Sequence, residues 1–165
     1  MVTIHRMTEE QFEAFLPQSI ARYAAEMVSG RAWEPTDSIQ KSRREHSKHL
    51  PQGLATLDHH LYTIQLERRP VGEVWLSVEH PSDTNNGYIH HLFVAEPFRR
   101  RGIGSQAMLL LEKEASRLGL ARLALHLFLD NSAAMAFFRK AGFQADTVKG
   151  TRIKLSKKLP SPGPQ

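Results

Sequence analysis

The sequence predicts an α+β fold: two helices, then a mostly antiparallel sheet carrying one strand–helix–strand crossover. Three observations lead there. Phe12, Phe15, Leu16, Ile20, Tyr23 and Met27 recur at helical spacing near the N-terminus. Short strand-like runs divided by turn residues follow. A helix-patterned segment, Ile103 to Leu118, then lies between two such runs. About four helices flank the sheet in this reading. One domain is expected over residues 1–157, with a disordered tail at 158–165.

The elements follow in order. VTIHR (Val2 to Arg6) alternates as an edge strand does. Thr8 with Gln11 makes a capping box for the first helix, which Gly30 ends. Pro17 inside it predicts a kink or two short helices. Asp37 caps a second, strongly charged helix reaching about Leu50, broken by Pro51 to Gly53. HLYTIQLE (60–67) and VGEVWLSV (71–78) form a hairpin around RRP. HPSDTNNG is a loop, and YIHHLFVA (88–95) is the third strand of the meander. Ile103, Ala107, Leu110, Leu111 and Leu118 mark a helix face, with Gly119 at its end. ARLALHLFL places Leu123, Leu125, Leu127 and Leu129 on one strand face. Asn131 caps a short helix that stops at Gly142. Strands near 143–146 and 151–155 close the chain.

Composition excludes several classes. No cysteine means no disulfide framework and no cysteine nucleophile. The N-terminus is not a signal peptide, and no apolar run is long enough to span a membrane, so a cytoplasmic location is expected. The histidines include two adjacent pairs, His59–His60 and His90–His91, but no HxxxH or HExxH spacing, so no metal is expected. The basic run KSRREHSKH lacks interleaved aromatics and is interrupted by Glu45; it reads as a solvated helix face rather than a nucleic-acid surface. The formal net charge is +5, which fits nucleic acid, an anionic cofactor or a mildly basic surface with no specific partner.

The chemistry concentrates at FRRRGIGSQ, Phe98 to Gln106. Glycines between a strand and a helix let a ligand approach the backbone, and the helix start offers N–H groups and a positive dipole end to an anion. Arg99, Arg100 and Arg101 add forked phosphate donors. The GxxxxGK[ST] phosphate loop is absent. Gly102, Gly104 and Ala107 match the dinucleotide pattern GxGxxA, but EPFRRR stands where the first glycine would end the strand.

A third reader of pyrophosphate fits better. YIHHLFVAEPFRRRGIGSQAM resembles motif A of the GNAT superfamily of acetyl-CoA-dependent N-acetyltransferases, with Arg99, Gly102 and Gly104 in register for [RQ]xxGxG. NSAAMAFFRKAGF resembles motif B at Asn131, Ala134, Gly142 and Phe143. The resemblance covers about Leu61 to Phe143. It implies a GNAT-like mixed sheet and acetyl transfer from acetyl-CoA to an amine acceptor, a small molecule or a peptide or protein, by direct attack in a ternary complex. The pyrophosphate of coenzyme A would sit on the N–H groups of Arg99 to Ser105, Ile103 included. The pantetheine arm would add like a strand beside Leu92, Phe93 and Val94, where that strand and Arg122–Leu129 splay apart. The N–H near Val94 would polarise the thioester carbonyl. Asn131 would contact the arm, cap its helix, or both.

One position departs from the family. Many members carry a tyrosine at Phe138, proposed to protonate the departing thiolate; phenylalanine has no proton to give, so Phe138 is expected as wall or core. The attacking amine, mostly protonated at neutral pH, needs a base. Candidates are Glu73 in the hairpin and His90 or His91, which strict alternation places on opposite faces. Tyr88 is expected near substrate, with Trp33 and Glu34 in the loop between the first two helices. Two other functions compete: a non-catalytic acyl-CoA-binding module, which Phe138 favours, and a dinucleotide-dependent oxidoreductase, on GxGxxA alone. A monomer or a homodimer is expected.

Overall fold

The computed structural model describes residues 1–79 and 85–160. Its contacts divide the chain into two units, Met7–His59 and Met1–Arg6 joined with His60–Gln165.

The first unit is helical. Helix α1 (Glu9–Ser29) starts on the expected capping box: Gln11 N–H donates to Thr8 Oγ1 at 3.1 Å, and Thr8 N–H to Gln11 Oε1 at 3.0 Å. It continues through Pro17 as one helix, not two. Pro17 and Glu13 are both exposed, so water can satisfy the Glu13 carbonyl that Pro17 cannot bond. Phe12, Phe15, Ile20, Ala24 and Met27 are buried along the opposite side and hold both halves down. Helix α2 (Ser38–His49) buries only Ser38, Ser42 and His46. Its packing on α1 is therefore polar. Ser42 Oγ donates to the Ile20 carbonyl at 2.7 Å, and His46 Nε2 lies 2.9 Å from Ser19 Oγ. Asp37 sits at the start of α2 but does not cap it with its side chain. A 3-10 turn, Pro35–Asp37, leaves its backbone outside the extended region a capping residue needs, and the carboxylate lies 3.6 Å from Lys41 Nζ instead.

The second unit is a seven-stranded sheet in the order β1-β2-β3-β4-β5-β7-β6. The strands are β1 (Val2–Arg6), β2 (His59–Leu66), β3 (Arg69–Glu79), β4 (Asn86–Val94), β5 (Arg122–Phe128), β6 (Gln144–Lys149) and β7 (Arg152–Lys158). Helix α3 (Ile103–Arg117) links β4 to β5, a parallel pair, and α4 (Ser132–Lys140) precedes β6. β1–β2, β3–β4, β5–β7 and β6–β7 are antiparallel, as the sequence predicts. The β2–β3 turn is Glu67–Arg68, one position earlier than RRP, with both residues at positive φ, as two-residue hairpins require.

One sheet face makes the core. Val74, Leu76 and Ile89 meet Leu123, Leu125 and Leu127 there, together with Ile103, Ala107, Met108, Leu111 and Ala115 of α3. Leu129, expected on that face, lies past the end of β5 and is 45 % exposed. Tyr62 joins the cluster with its hydroxyl 3.4 Å from Glu114; burial foremost, then that carboxylate, pushes the phenol up to about 12.

Two expected boundaries move. β7 runs through Lys158, and Leu159 is buried with its N–H on the Ala121 carbonyl at 2.8 Å, so the sheet takes up residues assigned to the tail. Residues 161–165 lie outside the described residues. So do residues 80–84 of the loop HPSDTNNG, while Asn86 and Gly87 already belong to β4. Glycine at 87 lets the strand pack closely: a Cβ there would come within 2.8 Å of both Leu120 and Leu123, which would have to shift.

Candidate functional site

The turn into α3 carries no side-chain cap. Gly102 occupies the cap position at φ +77°, and the first helical bond runs from Gln106 N–H to the Gly102 carbonyl at 3.1 Å. The N–H groups of Ile103, Gly104 and Ser105 thus have no partner within the helix. No acidic residue stands in the first turn to use the positive dipole end. Arg100 also takes a positive φ, 61°, a strained choice for a residue with a side chain.

The two glycines serve different ends. A Cβ on Gly102 would have open space, with Gln106 Nε2 its nearest neighbour at 3.9 Å, so the left-handed backbone selects glycine. A Cβ on Gly104 would lie 3.3 Å from the Phe137 ring and 3.8 Å from Val94. Close packing on α4, rather than ligand approach alone, selects glycine there.

The arginines divide as well. Arg99 fastens the turn: Nε donates to the Val94 carbonyl at 2.7 Å, and its guanidinium lies 5.2 Å from the Phe93 ring centre. Its backbone N–H is bonded to Glu96, at 3.1 Å, so it is not one of the open donors the sequence reading assigned to Arg99–Ser105. Arg101 rests its guanidinium 5.8 Å from Phe98. Arg100 and Arg101 are exposed beside the helix start.

β4 and β5 part early. They pair only at Asn86↔Arg122, Gly87↔Leu123 and Tyr88↔Ala124. Beyond Tyr88, no β4–β5 strand pairing occurs among the described residues. The pairing thus stops well before the end of β4 that leads on to α3. Leu92 and Val94 turn toward the core cluster, and Phe93 toward the other face.

That other face gathers the candidate bases. Trp75 opposes His91, while Leu76 opposes Ile89, so His90 is an extra residue in β4. This bulge resets the alternation and corrects the expectation of opposite faces. His90 stacks on Trp75 with ring centres 4.5 Å apart, and its Nε2 lies 2.8 Å from Ser77 Oγ. His91 lies with Nε2 3.8 Å from Glu73 Oε2 and stacks on Phe93. Glu73, Trp75, Ser77, Tyr88, His90, His91 and Phe93 all share the face.

His126, which the sequence reading passed over, belongs to this group. Its Nδ1 lies 2.8 Å from the Tyr88 hydroxyl, bridging β4 and β5 where they part. Burial, then the charges of Arg152 and Lys154, hold the imidazole below its ordinary range. The signal was available only as an odd polar residue in ARLALHLFL.

Asn131 caps α4, its Oδ1 accepting from Ala134 N–H at 3.3 Å. Phe138 is core: it is 7 % exposed and meets Phe137 and Phe143 edge to face. Trp33 and Glu34 belong to the helical unit, where Trp33 meets Tyr23 edge to face. No group of metal-ligating residues occurs among the described residues. No helix among them is long and apolar enough to cross a membrane. The dinucleotide reading of GxGxxA does not survive, because the sheet is mostly antiparallel rather than doubly wound and parallel.

Comparison with known proteins agrees with this geometry. Residues 22–143 match the model of the acetyltransferase (GNAT) family. The chain is 32 % identical over 154 residues to the uncharacterized N-acetyltransferase YycN of Bacillus subtilis strain 168, covering 93 % of this chain and 96 % of that one. The crystal structure of YycN superposes with a TM-score of 0.87 at 30 % identity, over 91 % of this chain and 96 % of the other. The PaiA N-acetyltransferase of Thermoplasma acidophilum, solved with coenzyme A, gives 0.72 at 19 % identity, over 96 % and 99 % of the two chains. A spermidine N-acetyltransferase of Vibrio cholerae, solved with CoA and spermine, gives 0.68 at 14 % identity, over 96 % and 95 %. These last two likenesses concern the fold.

Proposed function

The chain belongs to the GNAT family of acetyltransferases, and from that premise we propose that it moves an acetyl group from acetyl-CoA to an amine acceptor by direct attack in a ternary complex. One observation carries the proposal: the uncapped start of α3 at Gly102 stands at the open end of the gap between β4 and β5. The pyrophosphate takes the N–H groups of Ile103, Gly104 and Ser105, with Arg100 and Arg101 as outer donors. The pantetheine arm runs along the β5-facing side of Leu92, Phe93 and Val94 as a strand would. A β4 N–H beside the thioester end of the arm polarises the carbonyl. Asn131 caps α4 and in this reading also contacts the arm.

In this reading the acceptor approaches on the sheet face that carries Glu73, Trp75 and His91. The amine's proton leaves on that side, where Glu73, His90 and His91 stand and Tyr88 contacts the acceptor. Phe138 supplies packing and no proton; a thiol with a pKa near 8.5 leaves tolerably as thiolate without an acid. The assignment of Trp33 and Glu34 to the acceptor rests on their place in the loop between the first two helices.

The test is the thermal midpoint with and without acetyl-CoA, with NADH and ATP alongside. A ligand at about 100 times its dissociation constant adds roughly 2.7 kcal/mol, a shift easily seen. A shift with acetyl-CoA alone, followed by thiol release on adding amines, is the expected result. A shift without thiol release for any amine would favour a binding module over an enzyme.

A further inference from the structure

We propose that Tyr88 and His126 carry away the proton lost by the attacking amine: it passes to the Tyr88 oxygen as the Tyr88 hydroxyl proton passes to Nδ1 of His126. The proposal rests on the function proposed above and names the proton's route within that site. Its first support is position. Tyr88 is the last residue of β4 paired with β5, and His126 stands two residues beyond its partner Ala124, on the same face. Their 2.8 Å contact therefore crosses the apex of the gap. An arm anchored at α3 and lying along Val94, Phe93 and Leu92 points its thioester end at that apex. From Val94 to Tyr88 the strand covers about 20 Å, the scale of an extended pantetheine.

The second support is the chemistry of the contact. In its Nε2–H tautomer a neutral imidazole accepts at Nδ1 from the phenol, and a phenol oxygen that donates its proton still carries acceptor lone pairs. The titratable and charged groups facing His126 are Tyr88 from β4 and Arg152 and Lys154 from β7. His90 stands edge to face with Tyr88, ring centres 4.8 Å apart, and reaches Ser77 of β3. Burial and the two cations keep His126 unprotonated and ready to receive. They also make the imidazolium short-lived, which returns the relay to its starting state. Glu73 and His91 lie nearer the open end, beside Phe93, where they suit holding a cationic acceptor.

The balance is simple. The C–N bond forms, the C–S bond breaks with its electron pair on sulfur, and the amine proton ends on His126. The imidazolium then loses a proton to solvent or to the thiolate. Amine and thioester become amide and thiol. Tyr88 touches the acceptor; His126 acts through Tyr88.

The experiment measures thiol release from acetyl-CoA, with butylamine and with spermine, from about pH 5 to pH 9, a range spanning histidine titration. Wild type is compared with Tyr88→Phe and with His126→Asn, whose amide can accept a hydrogen bond but not a proton. Each variant is expected to lose about a hundredfold in kcat with KM for acetyl-CoA unchanged. Wild-type kcat falls in acid as His126 protonates, below the ordinary histidine range, and His126→Asn lacks that limb. A merely structural His126 would lower the thermal midpoint and keep the limb. An unchanged acid limb in His126→Asn overturns the relay alone. No thermal shift of wild type with acetyl-CoA overturns the underlying function instead. A shift without thiol release from either amine counts against both.

Discussion

Helices α1 and α3 begin with the same problem and solve it in opposite ways. Each starts with N–H groups that have no partner in the helix. Helix α1 answers from its own sequence: Thr8 and Gln11 cap each other's backbone, and Glu9 and Glu10 put negative charge on the dipole. Helix α3 answers with nothing of its own. It opens on a left-handed glycine, has no capping side chain and no acid in its first turn, and follows three arginines. An absent cap leaves about 1 kcal/mol of stability unclaimed. The difference teaches that a helix start can be finished by the chain or reserved for an anion, and that the choice is written within a few residues.

The comparison can be broken most sharply at Gly102. Gly102→Val forces a β-branched residue to a φ of +77° and turns the first N–H groups away from their present direction. Two charge-assisted hydrogen bonds lost, at about 1.5–3 kcal/mol each, weaken acetyl-CoA by roughly a hundredfold or more in calorimetry. Unchanged affinity would remove α3 from the ligand site.

Ser105→Glu sharpens the contrast by giving α3 the acid that α1 already has. Stability in urea should rise by about 0.3–1 kcal/mol, through the dipole. Acetyl-CoA affinity should fall about tenfold, equivalent to 1.4 kcal/mol, because the added carboxylate competes for the same charge. Effects of the same sign would mean that the helix start serves only the fold.

Thr8→Ala is the complementary change and the smallest. It should cost about 1 kcal/mol of stability, from the lost cap, and leave acetyl-CoA affinity unaltered. Calorimetry on the variant checks the second half. A binding defect there would blur the distinction between the two helix starts.

The legible parts of the molecule were those fixed by neighbours in sequence. The capping box needs only Thr8 and Gln11, and the Arg–Gly turn only nine residues. Strand and helix types follow from period. Asp37 failed as a side-chain cap because a 3-10 turn, set by Pro35, controls its backbone. The site's chemistry was harder to see. Whether His90 and His91 share a face depends on the register of β4 against Trp75 and Leu76, and no glycine or proline marks the extra residue. His126 looked like one polar position in an apolar strand; its meaning lies in Tyr88, 38 residues earlier. Such pairings are decided by the sheet, not by the segment.

A sheet with a split in it has more than two edges, and this one treats them unequally. Strand β6 is exposed at every position, bulged between Ala145 and Thr147, only six residues long, and charged at Asp146 and Lys149. Each property discourages a foreign strand from joining there. The β5-facing side of β4 has none of these guards from Leu92 to Val94. The molecule bars extension where a neighbour could exploit it, and in the proposed function keeps one edge receptive for a guest that is itself an extended chain of amides.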